Sequence, residues 1–478
     1  MELVSRAAEL YGNAPALIIK GTTLSFEACN HRATGIAGKL YQMGLHAGDI
    51  VAIISPNTPE MVLLLLGLLK AGIIAAPLNY RFPETLQKKA LEKLRPRLLL
   101  TATPASTPLP GIRTESVARF LDEASHATQH EAFEAPESME RPVTIIHTSA
   151  SSGEPKAAVH SFANHWYNAL GSNENLPFGP GECWLLSLPL YHIGGYAILF
   201  KSLLSGAAIA VGEPNESIEE ALEHFPITHL SLVPTQLYRL LAKPESALCL
   251  ASLKALLLGG SPAPKAVIQD ALRHKIPIYL SYGSTEMGSQ IATTPGPIKS
   301  AVQESGRTLP YREMMVAEDG ELLVKGPCLF MGYLQSGTVQ PQTDKDGWFH
   351  TSDIGQISEN GEVTIIGRKD NMFISGGENI HPEEIEGALM MIDGVGEALV
   401  VPHRDPEYGQ RPIAFIKTVE ENKPDDEAIT QAMNRLVGKL KSPIRYFRIE
   451  EWKCLPGSQK TDRAWYQRVA LTPDGPFA

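Results

Sequence analysis

Residues 278–286 read Ile-Tyr-Leu-Ser-Tyr-Gly-Ser-Thr-Glu, an apolar run that passes directly into hydroxyl and carboxylate groups. The apolar run predicts a buried strand, and its carboxyl end is where open α/β sheets bind ligands. A hydroxyl beside a carboxylate suits a Mg²⁺ ion that carries phosphate oxygens, although an ordinary β-turn has the same composition. Thr285 and Glu286 are therefore candidate phosphate and metal ligands, with Tyr282 and Gly283 in the same turn.

Short apolar runs alternate with helical patterns through most of the chain. Residues 50–54, 60–70 and 73–77 predict a strand, a helix and a second strand. Farther along, Glu321–Lys325 and Glu362–Ile366 show the two-residue alternation of strands, which predicts a small β-rich part. The pattern as a whole predicts an α/β fold.

At 478 residues, the chain is longer than a usual single domain. The polar, proline-containing stretch Thr101–Arg141 predicts a connector between subdomains. Helical patterns at Pro382–Met390 and Asp426–Leu440 predict a separate small α/β unit. We therefore predict a large N-terminal α/β domain over residues 1–369 and a small C-terminal α/β domain over residues 370–478.

Charge and composition limit the partners. The net charge of −11 excludes a general nucleic-acid binder, because such binding depends on lysine and arginine that neutralise phosphates. The five cysteines are far apart and form no Cys-x-x-Cys pair, which favours a cytoplasmic location over a disulfide framework or a zinc site. The apolar run Met61–Ala76 contains Lys70 and is too short for a membrane span. We expect small-molecule partners and no integral membrane segment. The sequence leaves open whether the protein forms a homo-oligomer.

A second candidate site follows the apolar run Val143–Ile146. Residues 148–156 read Thr-Ser-Ala-Ser-Ser-Gly-Glu-Pro-Lys, and hydroxyl and backbone N–H groups of such a loop donate to phosphate oxygens. The loop lacks the GxxxxGK[ST] spacing of a P-loop, and a serine-rich surface turn would have the same composition. The candidate phosphate ligands are Thr148, Ser149, Ser151, Ser152, Gly153 and Lys156.

Three other segments carry candidate ligands. In the first segment, glycines at the end of a predicted strand let a ligand approach the backbone. In the second, an acid and an arginine could hold ribose and phosphate. In the third, two glycines precede a predicted helix. Each segment also has a structural interpretation, as a packing turn, as solvated loop charges or as a helix cap. The candidate ligands are Gly259, Gly260, Ser261, Asp353 and Arg368, and the two glycines before the helix, which a cap explains without a ligand, are Gly376 and Gly377.

In order and spacing, these segments resemble the acyl-adenylate-forming superfamily of acyl-CoA synthetases, luciferases and peptide-synthetase adenylation domains. The superfamily's Tyr-Gly-x-Thr-Glu is intact at residues 282–286, and its Gly-Arg-x-Asp is intact at residues 367–370. Its Thr-Gly-Asp appears as Thr-Ser-Asp at residues 351–353, and its phosphate loop matches residues 148–157. The resemblance spans nearly the whole chain.

The resemblance implies an ATP-dependent ligase that adenylates a small carboxylic acid and transfers the acyl group to coenzyme A. ATP, Mg²⁺ and coenzyme A are the implied cofactors. It places Thr285 at the α-phosphate, Glu286 on Mg²⁺, and Asp353 with Arg368 at the ribose. The adenine would be framed by Gly259, Gly260 and Tyr282.

The resemblance also implies a mobile small domain. Asp370 occupies the superfamily's hinge position, and Gly376 with Gly377 corresponds to the segment that lines the pantetheine tunnel. Lys460, at the end of Leu-Pro-Gly-Ser-Gln-Lys, occupies the position of the catalytic lysine. His192 is a further candidate catalytic residue, and a histidine satisfied within the core is the alternative.

The chain departs from the superfamily at three glycine positions, which carry Ala150, Ala157 and Ser352. If residue 150 has a positive φ, alanine costs about 1–2 kcal/mol there. Residues 164–169 and 183–195 resemble one branch of aryl-acid ligases. Ligation of another aryl or medium-chain acid, loading of a carrier protein, and adenylate binding without turnover stay open.

Overall fold

Two large mixed sheets covered by helices make up the N-terminal part of the protein. The computed structural model describes residues 2–103, 111–126, 138–148, 155–302, 304–418, 423–456 and 460–471. The predicted fold class, a large α/β domain with a β-rich part and a small C-terminal α/β domain, is confirmed. In the described part of the chain, no helix is both long enough and apolar enough to cross a membrane.

Helices and strands alternate from the N-terminus. The first elements are α1 (Leu3–Tyr11), β1 (Pro15–Ile19), β2 (Thr22–Ser25), α2 (Phe26–Gln42), β3 (Ile50–Ile54), α3 (Pro59–Ala71), β4 (Ile74–Leu78), α4 (Glu84–Leu94), β5 (Leu98–Thr101), β6 (Arg113–Ser116), α5 (Val117–Ser125), β7 (Pro142–His147), β8 (Ala157–Ser161) and α6 (Phe162–Asn175). There follow β9 (Cys183–Leu185), α7 (Ile193–Ser205), β10 (Ala208–Ala210), α8 (Ile218–His224), β11 (His229–Leu232), α9 (Pro234–Leu241), α10 (Pro244–Ala251), β12 (Ala255–Leu258), α11 (Lys265–Arg273), β13 (Ile278–Ser284), β14 (Ser289–Thr293) and β15 (Arg307–Thr308).

The remaining elements are shorter and richer in strands. They are β16 (Glu313–Val316), β17 (Glu321–Lys325), β18 (Gly332–Gln335), β19 (Thr338–Gln340), β20 (Phe349–Ile357), β21 (Val363–Arg368), a 3-10 helix (Lys369–Asn371), β22 (Phe373–Ser375), β23 (Glu378–Ile380), α12 (Pro382–Leu389), β24 (Val395–Asp405), β25 (Gly409–Thr418), α13 (Asp426–Leu436), α14 (Gly438–Lys441), β26 (Tyr446–Arg448) and α15 (Arg463–Leu471).

Within the described residues the strands form five sheets. The two large ones have the orders β15-β14-β13-β12-β11-β9-β10-β1-β2 and β19-β18-β8-β7-β4-β3-β5-β6. A four-stranded sheet, β16-β17-β20-β21, is the predicted β-rich part, and the C-terminal unit is built on β22-β23 and β24-β25-β26. The parallel strands β11, β12 and β13 therefore end side by side, which brings the residues that follow them to one edge.

The main core lies between the two large sheets. Its largest cluster of buried side chains joins α3 and α7 to strands from both sheets. Helix α3 is buried along its length from Met61 to Ala71, because both of its faces meet apolar neighbours. Thr58 caps its first turn, and Gly72 ends it in the left-handed conformation.

Two predictions from sequence are wrong in detail. The stretch Thr101–Arg141 is not only a connector, since it contains β6 and α5. Helix α5 packs Val117 and Phe120 into the core, at a helical spacing that the surrounding polar residues obscured. The helix predicted over Asp426–Leu440 ends at Leu436, because Gly438 has a φ of 81° and the chain then starts a separate short turn.

The predicted domain boundary falls on the 3-10 helix after β21. Lys369 Nζ contacts Asp319 Oδ2 at 2.6 Å and Glu321 Oε2 at 2.9 Å, both on the large domain. Two residues later, Asn371 Nδ2 donates to Glu383 Oε1 of α12 at 2.5 Å. Asp370 lies between these two contacts, so a pivot there stays our prediction.

Ser352 replaces a glycine of the superfamily and adopts a φ of 59° in the left-handed region. Its backbone N–H donates to Glu321 Oε1 at 2.8 Å, a contact that holds this conformation in place. Any side chain with a Cβ is strained there, so serine lowers stability at this position.

Ser352→Gly should therefore raise the free energy of unfolding by about 1 kcal/mol, the strain relieved less the added freedom of glycine in the unfolded chain. Chemical denaturation measures the difference. Ser358→Gly is the control, since residue 358 has no positive φ and its hydroxyl accepts from Glu362 N–H. The control should lose stability, and a loss in both variants would show that Ser352 is not strained.

Candidate active site

The floor of the site lies at the carboxyl ends of β12 and β13. A Cβ added at Gly259 would lie 2.8 Å from the carbonyl oxygen of Ser281, so the neighbouring strand leaves no room for a side chain. Gly260 has a φ of 85°, which favours glycine for a second reason. Ser261 follows in an exposed turn. The turn is closely packed and also leaves its backbone open to the cleft.

Asp353 is fixed by two donors. The Tyr282 hydroxyl donates to its Oδ2 at 2.6 Å, and Arg368 Nη1 donates to its Oδ1 at 2.8 Å. The side chain is buried, so each of these charge-assisted bonds is stronger than it would be in water. Burial and the adjacent carboxylate raise the pKa of Tyr282 well above its usual value. The predicted ribose ligand, its arginine and the predicted adenine contact thus form one group.

One carboxylate oxygen of Glu286 accepts no hydrogen bond from the described residues. Tyr333 donates its hydroxyl hydrogen to Glu286 Oε1 at 2.6 Å, and burial together with this carboxylate raises the pKa of Tyr333. Lys156 Nζ lies 5.1 Å from the centroid of the Tyr333 ring. The end of the predicted phosphate loop is thereby brought next to the predicted metal ligand.

The two ends of the phosphate loop are joined. Thr148 N–H donates to the Lys156 carbonyl at 2.8 Å, where β7 passes into β8. Ala157 lies in β8 opposite His147 without a positive φ, so alanine in place of glycine causes no backbone strain there. The other predicted loop ligands, Ser149, Ser151, Ser152 and Gly153, and the substituted Ala150 lie outside the described residues.

Lys460 reaches the cleft from the small domain. Its side chain is accessible to solvent in the cleft while protein surrounds it on most sides. Loss of bulk hydration and the positive charge of Arg368 lower the pKa of Lys460, and the negative charge of Glu286 opposes this shift. These influences place Lys460 within electrostatic range of the predicted metal and ribose ligands.

His192 stands at the start of α7 and also faces the cleft. Desolvation and the positive charge of Lys460 lower its pKa to about 4. A neutral imidazole therefore borders the space in front of Lys460 at neutral pH. The alternative of a histidine satisfied within the core does not fit its exposure.

Gly376 and Gly377 lie apart from this group. They form the turn between β22 and β23, with φ values of 56° and 89°. A Cβ on Gly376 would lie 2.8 Å from the Tyr408 ring, so its neighbour belongs to the small domain. Their assignment to a pantetheine tunnel stays a prediction.

Three residues near the cleft were not predicted from sequence. Tyr333 and His160 contact the Thr285–Glu286 segment from β18 and β8. Lys201 is buried in α7, and its presence in an otherwise apolar helix was the one signal visible in the sequence. Tyr333 and His160 carry no local motif, since only strand pairing brings them to the site.

The residues present fit a Mg²⁺ ion that is bound mainly by phosphate. In the part of the chain that the structure describes, no group of three or more His, Cys, Asp or Glu side chains could hold a metal by itself. Glu286 offers one carboxylate oxygen, which matches the preference of Mg²⁺ for one or two carboxylates plus substrate phosphates and water.

Comparison with protein families gives matches over both domains. The model described as AMP-binding enzyme matches residues 4–334, and the AMP-binding enzyme C-terminal domain matches residues 384–456. The chain therefore belongs to the AMP-binding enzyme family.

Among curated relatives, the 2-succinylbenzoate–CoA ligase of Salmonella typhimurium is 32% identical over 463 residues, covering 97% of this chain and 95% of that protein. The ligase of the same name from Listeria monocytogenes is 33% identical over 416 residues, covering 85% and 86%. Like these relatives, the chain is an ATP-dependent, AMP-forming acid–CoA ligase.

Solved structures share the whole fold. The o-succinylbenzoate CoA synthetase of Bacillus subtilis in complex with its acyl-adenylate OSB-AMP superposes with a TM-score of 0.87 at 28% identity, covering 98% of both chains. A doubly substituted form of that protein with a product analogue, OSB-NCoA, gives a TM-score of 0.71 at 28% identity, covering 97% of both chains. Coverage is thus nearly equal for the two complexes, and the TM-score is lower for the second.

Glu286→Gln keeps an acceptor for Tyr333 but removes the negative charge. Acid-dependent pyrophosphate release should fall at least as much as the roughly ten- to hundredfold loss typical of removing an outer-shell metal partner. The Mg²⁺ concentration for half-maximal rate should also rise. Glu313→Gln, on an exposed residue of β16, is the control and should behave as wild type. An unchanged Mg²⁺ dependence would contradict the assignment of Glu286.

Proposed function

We propose that the chain joins o-succinylbenzoate to coenzyme A in two steps within one cleft. In the first step, a substrate carboxylate oxygen attacks the α-phosphorus of ATP, and pyrophosphate leaves. In the second, the coenzyme A thiol attacks the acyl carbon, and AMP leaves with the electron pair of the broken C–O bond. The proposal rests chiefly on the approach of Lys460 from the small domain to Glu286 and Arg368 of the large domain.

Adenylation of this kind needs no side-chain nucleophile. The protein must instead align two anions and stabilise the charge that develops at phosphorus. Lys156 and Lys460 supply positive charge on two sides of the cleft, and Thr285 supplies a hydroxyl beside Glu286. Bound Mg²⁺, held by Glu286, would neutralise phosphate charge and favour departure of pyrophosphate.

The nucleotide would be held at its ribose by Asp353. Because Tyr282 and Arg368 already fix both carboxylate oxygens, the ribose hydroxyls meet a rigid acceptor. Rigidity lowers the ordering cost of binding and sets the distance from ribose to the α-phosphate. Gly259 and Gly260 leave the backbone beside it accessible to a flat base.

The acid proposed here carries a second carboxylate, which needs a partner when it is buried. Lys201 is fully buried, with its Nζ donating to Gln290 Oε1 at 2.6 Å and 4.7 Å from the Trp184 ring centroid. Among the described residues no carboxylate forms an ion pair with it. Gln290 pairs with Gly283 of β13, so one side chain separates this lysine from the strand that carries Tyr282 and Gly283. It is the cation that we assign to the second carboxylate.

The domain arrangement described here suits the first step. Lys460 is at the cleft, and the fold superposes better on the acyl-adenylate complex than on the product-analogue complex. The second step requires space for the thiol, so we propose that the small domain turns about Asp370 and withdraws Lys460.

Lys460→Ala should lower acid-dependent pyrophosphate release by about a hundredfold or more, the usual effect of losing one preorganised charge at a transition state. Conversion of supplied acyl-adenylate and coenzyme A into thioester should persist, because Lys460 acts only in the first step. Lys453→Ala, an exposed neighbour in the chain, is the control. Equal loss of both steps would contradict the two-orientation mechanism.

Substrate choice can be tested through Lys201. Burial and the positive charge of Arg312 lower the pKa of Lys201 to about 7. The protonated lysine pairs with a dicarboxylate, so kcat/KM for o-succinylbenzoate should fall as the pH rises above that value. Benzoate lacks the second carboxylate and should show no such decline.

Lys201→Met should reduce kcat/KM for o-succinylbenzoate by roughly ten- to a hundredfold, since one buried charge-assisted hydrogen bond is lost. The rate with benzoate should change little, and this substrate serves as the internal control. ATP–pyrophosphate exchange with o-succinylbenzoate, benzoate and octanoate measures these ratios. A preference for benzoate or octanoate would overturn the choice of acid, while the assignment of the reaction class would still hold. No exchange with any acid would favour adenylate binding without turnover.

A further inference from the structure

His160 is a fully buried histidine on the strand that leaves the phosphate loop. Its Nε2 lies 2.7 Å from the carbonyl oxygen of Thr285, and a carbonyl can only accept. Nε2 therefore carries the hydrogen. Burial lowers the pKa of His160 to about 4, which leaves Nδ1 unprotonated. The ring is thus a neutral donor in a site closed to bulk water.

The segment that carries the two predicted ligands is held from β8, from β18 and from Phe330, which lies just before β18. His160 on β8 binds the Thr285 carbonyl, and Phe330 N–H donates to the Glu286 carbonyl at 2.7 Å. Tyr333 on β18 donates to the Glu286 carboxylate. Strands β8 and β18 pair with each other, and β8 begins directly after Lys156.

We infer that His160 is a positioning residue for adenylation, which fixes the Thr285–Glu286 segment relative to the phosphate loop by its hydrogen bond to the Thr285 carbonyl. The inference rests on the proposed function, because the hydrogen bond can affect adenylation only if Thr285 and Glu286 act on phosphate and metal. His160 itself need not touch substrate.

Loss of the bond leaves the Thr285 carbonyl without this buried donor and lets the segment shift. A small displacement of groups that hold phosphate and metal slows the step that needs them. The thiol step releases AMP and uses neither pyrophosphate nor its metal, so it should be nearly insensitive. This asymmetry separates positioning from a general role in core packing.

The experiment compares His160→Met, which removes the donor at similar size, with His160→Gln, whose amide nitrogen can reach the same carbonyl. The Met variant should lose roughly ten- to a hundredfold in the rate of pyrophosphate release and need more Mg²⁺. Its KM for the acid and its rate with supplied acyl-adenylate should stay near wild type. The Gln variant should recover most of the lost rate.

The matched control is His165→Met. His165 is equally buried, 5.2 Å from the His160 ring, but it contacts Thr144 rather than Thr285. This variant should lose thermal stability without a change in Mg²⁺ dependence. If the His160→Met variant does not fold, His160→Asn, whose shorter amide does not reach the carbonyl, takes its place.

The inference is overturned if the Met variant keeps normal Mg²⁺ dependence, if Gln recovers nothing, or if both half-reactions fall together as expected of packing damage. A wild-type protein that releases no pyrophosphate with any acid would instead overturn the proposed function. The two failures are therefore distinguishable.

Discussion

The ion pair between Asp353 and Arg368 joins three parts of the protein. The pair closes the ladder between β20 and β21, and Tyr282 attaches it to β13 of the nine-stranded sheet. Arg368 then leads directly into the 3-10 helix at the predicted hinge. The predicted nucleotide site and the connection to the small domain thus share one contact. A displacement of either one is felt by the other.

The protein is acidic overall, yet its cleft gathers positive charge. Against a net charge of −11, three cations lie near the carboxylates of Asp353 and Glu286, namely Lys156, Arg368 and Lys460. Both carboxylates have defined partners, since Asp353 holds Arg368 and Glu286 accepts from Tyr333. A group of cations at one place suits a polyphosphate, and the acidic net charge disfavours long anionic polymers that would compete for that place.

Much of the candidate site could be predicted because its residues lie in short contiguous segments. Residues 282–286 and 367–370 each carry their chemistry in consecutive positions, and the strands that position them are recognisable from their apolar runs. His160 could not be found in this way, because strand pairing brings it to a carbonyl that is 125 residues away in sequence.

The errors in the fold have similar causes. Helix α5 is short and surrounded by polar residues, so its apolar face is difficult to distinguish from a connector. The end of α13 depends on the backbone of Gly438. The amphipathic pattern of the sequence continues past this glycine, so the pattern does not predict where the helix ends. Ser352 shows the reverse case, since the superfamily's glycine marks a backbone conformation that this chain keeps with a different residue.

In the mechanism that we propose, the contacts on either side of Asp370 affect how Lys460 reaches the cleft. Lys369 is fixed to the large domain and Asn371 to the small one, so the backbone angles of one residue separate two anchored bodies. If the small domain turns there, as we propose, it follows a narrow arc about this one residue. The effective concentration of the lysine at the cleft is then set by the covalent connection and stays the same however dilute the protein becomes.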